Sequence, residues 1–199
     1  NARSARQWFL EHCNNEEMIA RHFIAVSTNI ALTDAFGIRE ENVFRFWDWV
    51  GGRFSLWSAI GLPIALTCGF EIFSELLSGA EAMDAHFRSA PLRKNIPVMM
   101  ALCAFWNTTL CGEKNHAVLP YDEYLRLFPA FLQQLEMESN GKSVQIDGES
   151  IDYQTSPSLW GQPGTDSQHS FFQLLHQGTH TIPGDFIVAV QSQNTHGDH

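Results

Sequence analysis

Residues 116–142 read HAVLPYDEYLRLFPAFLQQLEMESNGK, and their order decides the fold class. HAVLP predicts a strand over 116–120, and 121–135 predicts the helix that follows it at once. Asp122 and Glu123 cap or solvate the start of that helix, and Ser139-Asn140-Gly141-Lys142 is a turn signal. The same alternation recurs on both sides. HFIAVS over 22–27 is β-branched and apolar and reads as a short buried strand. It precedes a helix over 29–36 that ends at Gly37, a favourable C-cap. Residues 43–47 predict a second strand. A helix over 167–178 precedes DFIVAV, a strand over 185–190. Residues 2–12 are helical, 55–87 mostly helical with Pro63 near a helix start and Gly79 as punctuation, and 95–110 form an apolar helix. Residues 142–153 alternate weakly around an Asp147-Gly148 turn and predict a small hairpin. Short apolar strands alternating with helices point to α/β layers around a parallel sheet. The helical stretch near 62–95 is placed to join two such units.

Composition bounds the function. At 199 residues, with 44% hydrophobic and 17% charged residues, the chain is that of a globular protein with a real core. A net charge of −10 argues against a nucleic-acid or anionic-membrane surface. It leaves room for a small anionic substrate, which one arginine or helix N-terminus can hold. Cys13, Cys68, Cys103 and Cys111 show no CxxC or zinc-ligand spacing and read as small buried residues in a reducing cytosol. The apolar runs are too short to span a bilayer. The sequence opens without an initiator methionine in a helical pattern, which reads as a piece of a longer protein.

Three segments carry chemistry. In WDWVGGRFSLWSAIG, residues 47–61, Gly51 and Gly52 permit a tight corner and Arg53 follows at once. A guanidinium held there suits an anion, or a negative charge that develops during a reaction. The plainer alternative is a glycine turn whose arginine pairs with Asp48. Glu138 ends a helix beside Leu135 and Met137, where partial burial raises a carboxylate's pKa toward that of a neutral-pH base. Gln134, four residues earlier, is placed to hydrogen-bond a substrate oxygen. The alternative is an exposed turn glutamate. His169 lies in the first turn of a helix capped by Thr165 or Asp166, where the dipole favours a neutral imidazole. His176 shares its face. His12, His22, His86, His116, His180, His196 and His199 have no partner at metal-ligand spacing. There is no GxSxG, P-loop or GxGxxG.

Residues 48–61, DWVGGRFSLWSAIG, resemble the first signature of the glucose-6-phosphate isomerase family. Residues 119–142 resemble that family's proton-transfer segment. Residues 160–187, WGQPGTDSQHSFFQLLHQGTHTIPGDFI, resemble the segment that carries its histidine. The three occur in the family's order, and the resemblance covers essentially the whole chain. It implies three-layer α/β/α SIS-type (flavodoxin-like) parallel sheets. Residues 1–65 would end one SIS domain, 66–95 form a helical connection, and 96–199 begin a second. The chain would start just after the family's phosphate-holding loop and stop before its C-terminal catalytic lysine.

The family interconverts glucose 6-phosphate and fructose 6-phosphate in the cytoplasm, as a homodimer, without metal or cofactor. Carried over by motif, Glu138 would move a proton between C2 and C1 through a cis-enediol(ate), and Arg53 would stabilise its charge. His169 would assist ring opening from the other subunit. Gln134 would position the sugar, and Gly52 would approach it through the backbone. Gln162, Asp166-Ser167 and Glu123 depart from the family's usual residues, none at a catalytic position. A sugar-phosphate-binding SIS module without catalysis is the competing reading, and Glu138 with Arg53 weighs against it because a sensor needs no base.

Overall fold

A computed structural model describes residues 1–191. His196, His199 and the end of the expected 96–199 domain lie outside the described residues. The chain forms two compact units, Asn1–Met83 and the residues from Asp84 onward.

The first unit contains α1 (Ala2–Cys13), α2 (Ile19–His22), β1 (Ala25–Val26), α3 (Ile30–Phe36), β2 (Val43–Phe44), α4 (Leu62–Cys68) and the start of α5 (Phe70–Ser89). β1 and β2 are parallel, with Ala25 opposite Val43 and Val26 opposite Phe44. The crossover helix α3 begins where the Asn29 side chain accepts the Leu32 N–H at 3.1 Å, and it ends on Gly37. Fully buried Ile19 packs against Gly37, and Phe23 bridges Phe9 and Phe36 at 5.2 and 5.5 Å. Both strands are shorter than the sequence suggests. His22 belongs to α2, and the Phe23 N–H donates to the Ile19 carbonyl at 3.0 Å, so the head of the apolar run closes a helix instead of pairing. The punctuation expected at Gly79 falls at Gly69, whose φ of 95° ends α4. Gly79 lies inside α5, since one glycine weakens a helical run by about 1 kcal/mol without ending it.

The second unit contains α6 (Ile96–Phe105), a π-turn over Trp106–Leu110, β3 (Asn115–Tyr121), α7 (Phe128–Leu132), a second π-turn over Gln133–Glu138, β4 (Ser158–Trp160), α8 (Gly164–Gln177) and β5 (Gly184–Val188). Its sheet is parallel throughout, in the order β4-β3-β5. Ala117, Val118 and Leu119 of central β3 are buried. This is the parallel α/β arrangement that the strand–helix alternation implies. The helix expected over 121–135 is interrupted. Tyr121 completes β3, Asp122 closes a short turn by accepting the Tyr124 N–H at 2.9 Å, and Pro129 sits in the first turn of α7. Residues 142–153 make one antiparallel bridge, Val144 to Ser150, around Gly148.

The cysteines depart from expectation. All four are free, Cys68, Cys103 and Cys111 are exposed, and Cys13 is half-buried. Cys103 lies on α6, which is apolar all round and exposes Met100, Leu102 and Phe105 by more than half. No described helix is long and apolar enough to cross a membrane.

An ion pair crosses the sheet. His116 Nε2 of β3 lies 2.9 Å from Asp185 Oδ2 of β5. That hydrogen bond holds the Asp185 carboxyl below the usual carboxylate range; partial burial opposes it and the histidine charge adds to it. Such a group stabilises the fold above its unfolded pKa of about 3.9 and loses that contribution as pH falls through the lowered folded value. In the full-length protein carrying this chain, Asp185→Asn is therefore expected to lower the urea midpoint near pH 6. The gap to the parent should narrow as pH drops below about 4. A gap independent of pH would show that the carboxylate charge contributes nothing.

Candidate active site

In the first unit, the corner before α4 fixes Arg53. Gly51 is extended, so only Gly52, with φ of 59°, needs the freedom of glycine. Gly52 opens a short turn over Gly52–Phe54. Its carbonyl accepts both the Ser55 N–H at 3.2 Å and the Ser55 hydroxyl at 2.6 Å. Ser58 repeats the device one step on, its hydroxyl donating to the Ser55 carbonyl at 2.7 Å. Arg53, half-buried, is thus mounted on a turn closed by the buried Ser55. Beyond it the apolar stretch is a short turn over Ala59–Gly61 and then α4, with Pro63 at its start.

In the second unit, Gln134 and Glu138 stand four residues apart on the second π-turn, and both are exposed. The partial burial expected of Glu138 is not found. Met137 and Leu135 occupy the half-buried side of the turn, which leaves the carboxylate on the open side. Side chains hold the turn at its C-terminal end and along its inner side. Lys142 Nζ donates to the carbonyls of Glu138 and Ser139, a cation capping the C-terminal end where the backbone dipole favours one. Asn140 Nδ2 donates to Glu136 Oε1 at 2.9 Å. On the inner side, Gln133 Nε2 donates to the Leu159 carbonyl of β4 at 3.1 Å, and the Leu159 N–H donates to Met137 Sδ at 3.3 Å.

His169 lies on α8, which starts three residues earlier than expected. Its N-cap is Pro163, with no side-chain cap, so Thr165 and Asp166 are inside the helix and His169 falls in its second turn. Gly164 and Ser167 are buried, and the Ser167 hydroxyl donates to the Gly164 carbonyl at 2.9 Å. Tyr121, at the end of β3, lies against Gly164, stacks on Phe186 at 6.5 Å, and its hydroxyl accepts from Gln168 Nε2 at 3.0 Å. Phe171 meets Trp160 edge-on at 4.8 Å. These contacts fix the inner face of α8 and leave His169 and His176 on its exposed face.

Gly52 and Arg53 therefore belong to the first unit, and Gln134, Glu138 and His169 to the second. Within the second unit, the segments bearing Glu138 and His169 both attach to β4, one along Leu159 and the other through Trp160. Residues 160–164, expected to be a loop, close β4 at one end and open α8 at the other. Sequence reasoning missed β4, Gln133, Met137, Tyr121 and Gln168. The available signal was Pro157-Ser158-Leu159-Trp160-Gly161, an apolar pair bounded by breakers. Among the described residues no group of three or more His, Cys, Asp or Glu is placed to hold a metal ion.

The phosphoglucose isomerase family model matches residues 1–199. Glucose-6-phosphate isomerases of Chlorobium luteolum, Chlorobium phaeobacteroides and Methylococcus capsulatus are 58%, 57% and 55% identical to the chain over 199 residues. Each match covers 100% of this chain and 36% of the relative, so the chain spans about a third of their length. A crystal structure of a glucose-6-phosphate isomerase from Chlamydia trachomatis matches with a TM-score of 0.80 at 42% identity, over 91% of this chain and 35% of that one. A hypothetical protein from Thermus thermophilus matches with a TM-score of 0.72 at 25% identity, over 90% of this chain and 41% of that one. The fold is thus an α/β fold of the SIS type. The chain belongs to the phosphoglucose isomerase family.

The seat of α8 supplies a direct test. A Cβ at Gly164 would overlap the Tyr121 ring, whereas one at Gly79 meets open space. In the full-length protein, Gly164→Ala is expected to cost about 1–3 kcal/mol by overpacking. Gly79→Ala, on α5, should be neutral or stabilising by up to about 1 kcal/mol. Equal urea midpoints for the two variants would show that the seat is not tight.

Proposed function

We propose that this chain is the central part of a glucose-6-phosphate isomerase, which interconverts glucose 6-phosphate and fructose 6-phosphate in glycolysis and gluconeogenesis. The observation that carries the reading is the family match across residues 1–199, which spans all three segments that resemble the family's motifs. Residues 1–65 and 96–199 are read as parts of two SIS domains joined by 66–95. The active assembly is a cytoplasmic homodimer of the full-length protein, and the 199 residues alone do not suffice for turnover.

In the proposed reaction His169 assists opening of the sugar ring from the partner subunit, a role its exposed position on α8 suits. Gln134 and the backbone at Gly52 orient the open chain. The Glu138 carboxylate takes the proton from C2, and the C–H electron pair forms the C1–C2 double bond while O1 takes up negative charge. Arg53 stabilises that charge, where a fixed cation counts most. The proton returns from Glu138 to C1, and the O2 hydroxyl proton passes to the O1 oxyanion, which leaves a ketone at C2 and a hydroxyl at C1. No electron is gained or lost: one proton moves from C2 to C1 and one from O2 to O1. An exposed carboxylate on a pinned turn is within reach of substrate from a fixed backbone position, which suits proton transfer between adjacent carbons.

The full-length protein with Glu138→Gln is expected to lose about 10²–10⁴ in turnover. It should also fail to release deuterium from C2-deuterated glucose 6-phosphate into water. Arg53→Ala should lose about 10²–10³ in kcat. Deuterium release at the parent rate from the Glu138→Gln protein would remove the base assignment. It would leave binding without proton transfer at this residue.

A further inference from the structure

We propose that Gln133 and Met137 are positioning residues that aim the Glu138 carboxylate by gripping the edge of β4 that faces away from β3. The proposal rests on the reading of Glu138 as the base and deepens it.

β4 is an edge strand, paired only with β3 among the described residues. In a parallel ladder alternate residues of a strand bond to a given neighbour. Ser158 faces β3, its N–H donating to the Lys114 carbonyl at 2.7 Å. Leu159 consequently turns its amide and carbonyl the other way, and with only 8% of its surface exposed it has little water to satisfy them. The π-turn supplies both partners. Gln133 Nε2 reaches the Leu159 carbonyl at 3.1 Å, and Met137 Sδ receives the Leu159 N–H at 3.3 Å. A single backbone residue is thus held at both its N–H and its C=O by side chains four residues apart.

The chemical pair is the same pattern displaced by one residue. Gln134 and Glu138 are also four apart on this turn, each following an anchoring residue, and they stand exposed where Gln133 and Met137 are half-buried. One stripe grips the strand and the adjacent stripe faces outward. Rotation or sliding of the turn would break both grips together and leave two backbone groups of Leu159 unpaired. The turn therefore has one stable orientation, and that orientation fixes the direction of the carboxylate. π-turns are rare and recur at functional sites, and here the wide turn carries the grip and the base on adjacent stripes. Gln133 and Met137 touch the backbone of β4; they act on the reaction only through Glu138.

The test uses the full-length protein and two variants. Gln133→Glu keeps the shape and removes the donor. Met137→Leu keeps the volume and removes the sulfur acceptor, so it guards against a variant that fails to fold. Each is assayed with C2-deuterated glucose 6-phosphate for kcat, for KM, and for the share of deuterium that arrives at C1 of the product instead of water. A misaimed base is expected to lower kcat about 10- to 100-fold per folded enzyme, with KM within about twofold. It should also reduce the share of label carried to C1, a ratio that loss of folded protein does not move. A parental label share and parental kcat per folded enzyme in both variants would overturn the proposal. Glu138→Gln in the same assay separates the two levels. If that variant transfers label normally, the base assignment falls and the positioning role with it. If it is dead while both anchor variants behave as the parent, only the positioning role falls.

Discussion

Pro120 has no amide proton, and it sits in the central strand of the sheet. The pairing of β3 alternates, and the Ala117 N–H donates to the Pro183 carbonyl on the β5 side. Even-numbered residues of β3 therefore face β4. A proline at 120 is tolerated only if β4 does not need a donor there, because a proline between two bonded strands deletes a ladder bond. The chain meets that constraint by ending β4 at Trp160, opposite Ala117, while β5 stays paired through Tyr121 and Val188. Gly161 then crosses so close to the Val118 carbonyl that a Cβ there would collide with it. The sheet opens on one side at its C-terminal end, which is where ligands of parallel α/β sheets bind.

Much of the site follows from that opening. With β4 ended, residues 161–163 turn at once into α8, whose first residue packs on Tyr121, the residue after Pro120. The inner face of α8 is then fixed by Tyr121 and Trp160, and His169 is carried outward by the helical repeat. β4, short and paired with a strand on one edge only among the described residues, needs partners for Leu159, and the π-turn after α7 provides them. The elements that bear His169 and Glu138 are thus both responses to one truncated strand. Steric and hydrogen-bonding demands of the backbone place them, before any demand of catalysis enters.

The legible parts of the fold are those written in local chemistry. The stretch 116–120 is continuously apolar and emerges as the buried centre of β3. Asn29 and Gly37 bracket α3 because a side-chain cap and a left-handed residue leave marks in the sequence. The motifs at 48–61, 119–142 and 160–187 were legible as a family resemblance. What was not legible depends on partners distant in sequence. Three residues of β4 are too few to show a period, and their strand character comes from pairing with β3. A π-turn and an α-helix have the same apolar pattern, so the widening at Gln133–Glu138 leaves no local sign. Leu135 and Met137 do face inward, but the carboxylate beside them does not, because adjacent positions on a helical turn point in different directions.

Electrostatics give the proposed chemistry its scale. The chain carries 22 acidic and 12 basic residues, a net charge of −10, and a sugar phosphate is itself an anion. That opposition matters less than the totals suggest. At about 0.15 M salt, exposed charges more than about 8 Å apart hardly interact, so a bound anion feels the few groups around it and not the sum over the surface. In the proposed reaction Arg53 is one of those few groups, and its turn is well defined: Gly52 takes a backbone conformation other residues resist, and Ser55 locks that turn from within. The same reasoning explains why position outranks charge at Glu138. In the proposed reaction its fitness as a base lies in the orientation of the π-turn that carries it.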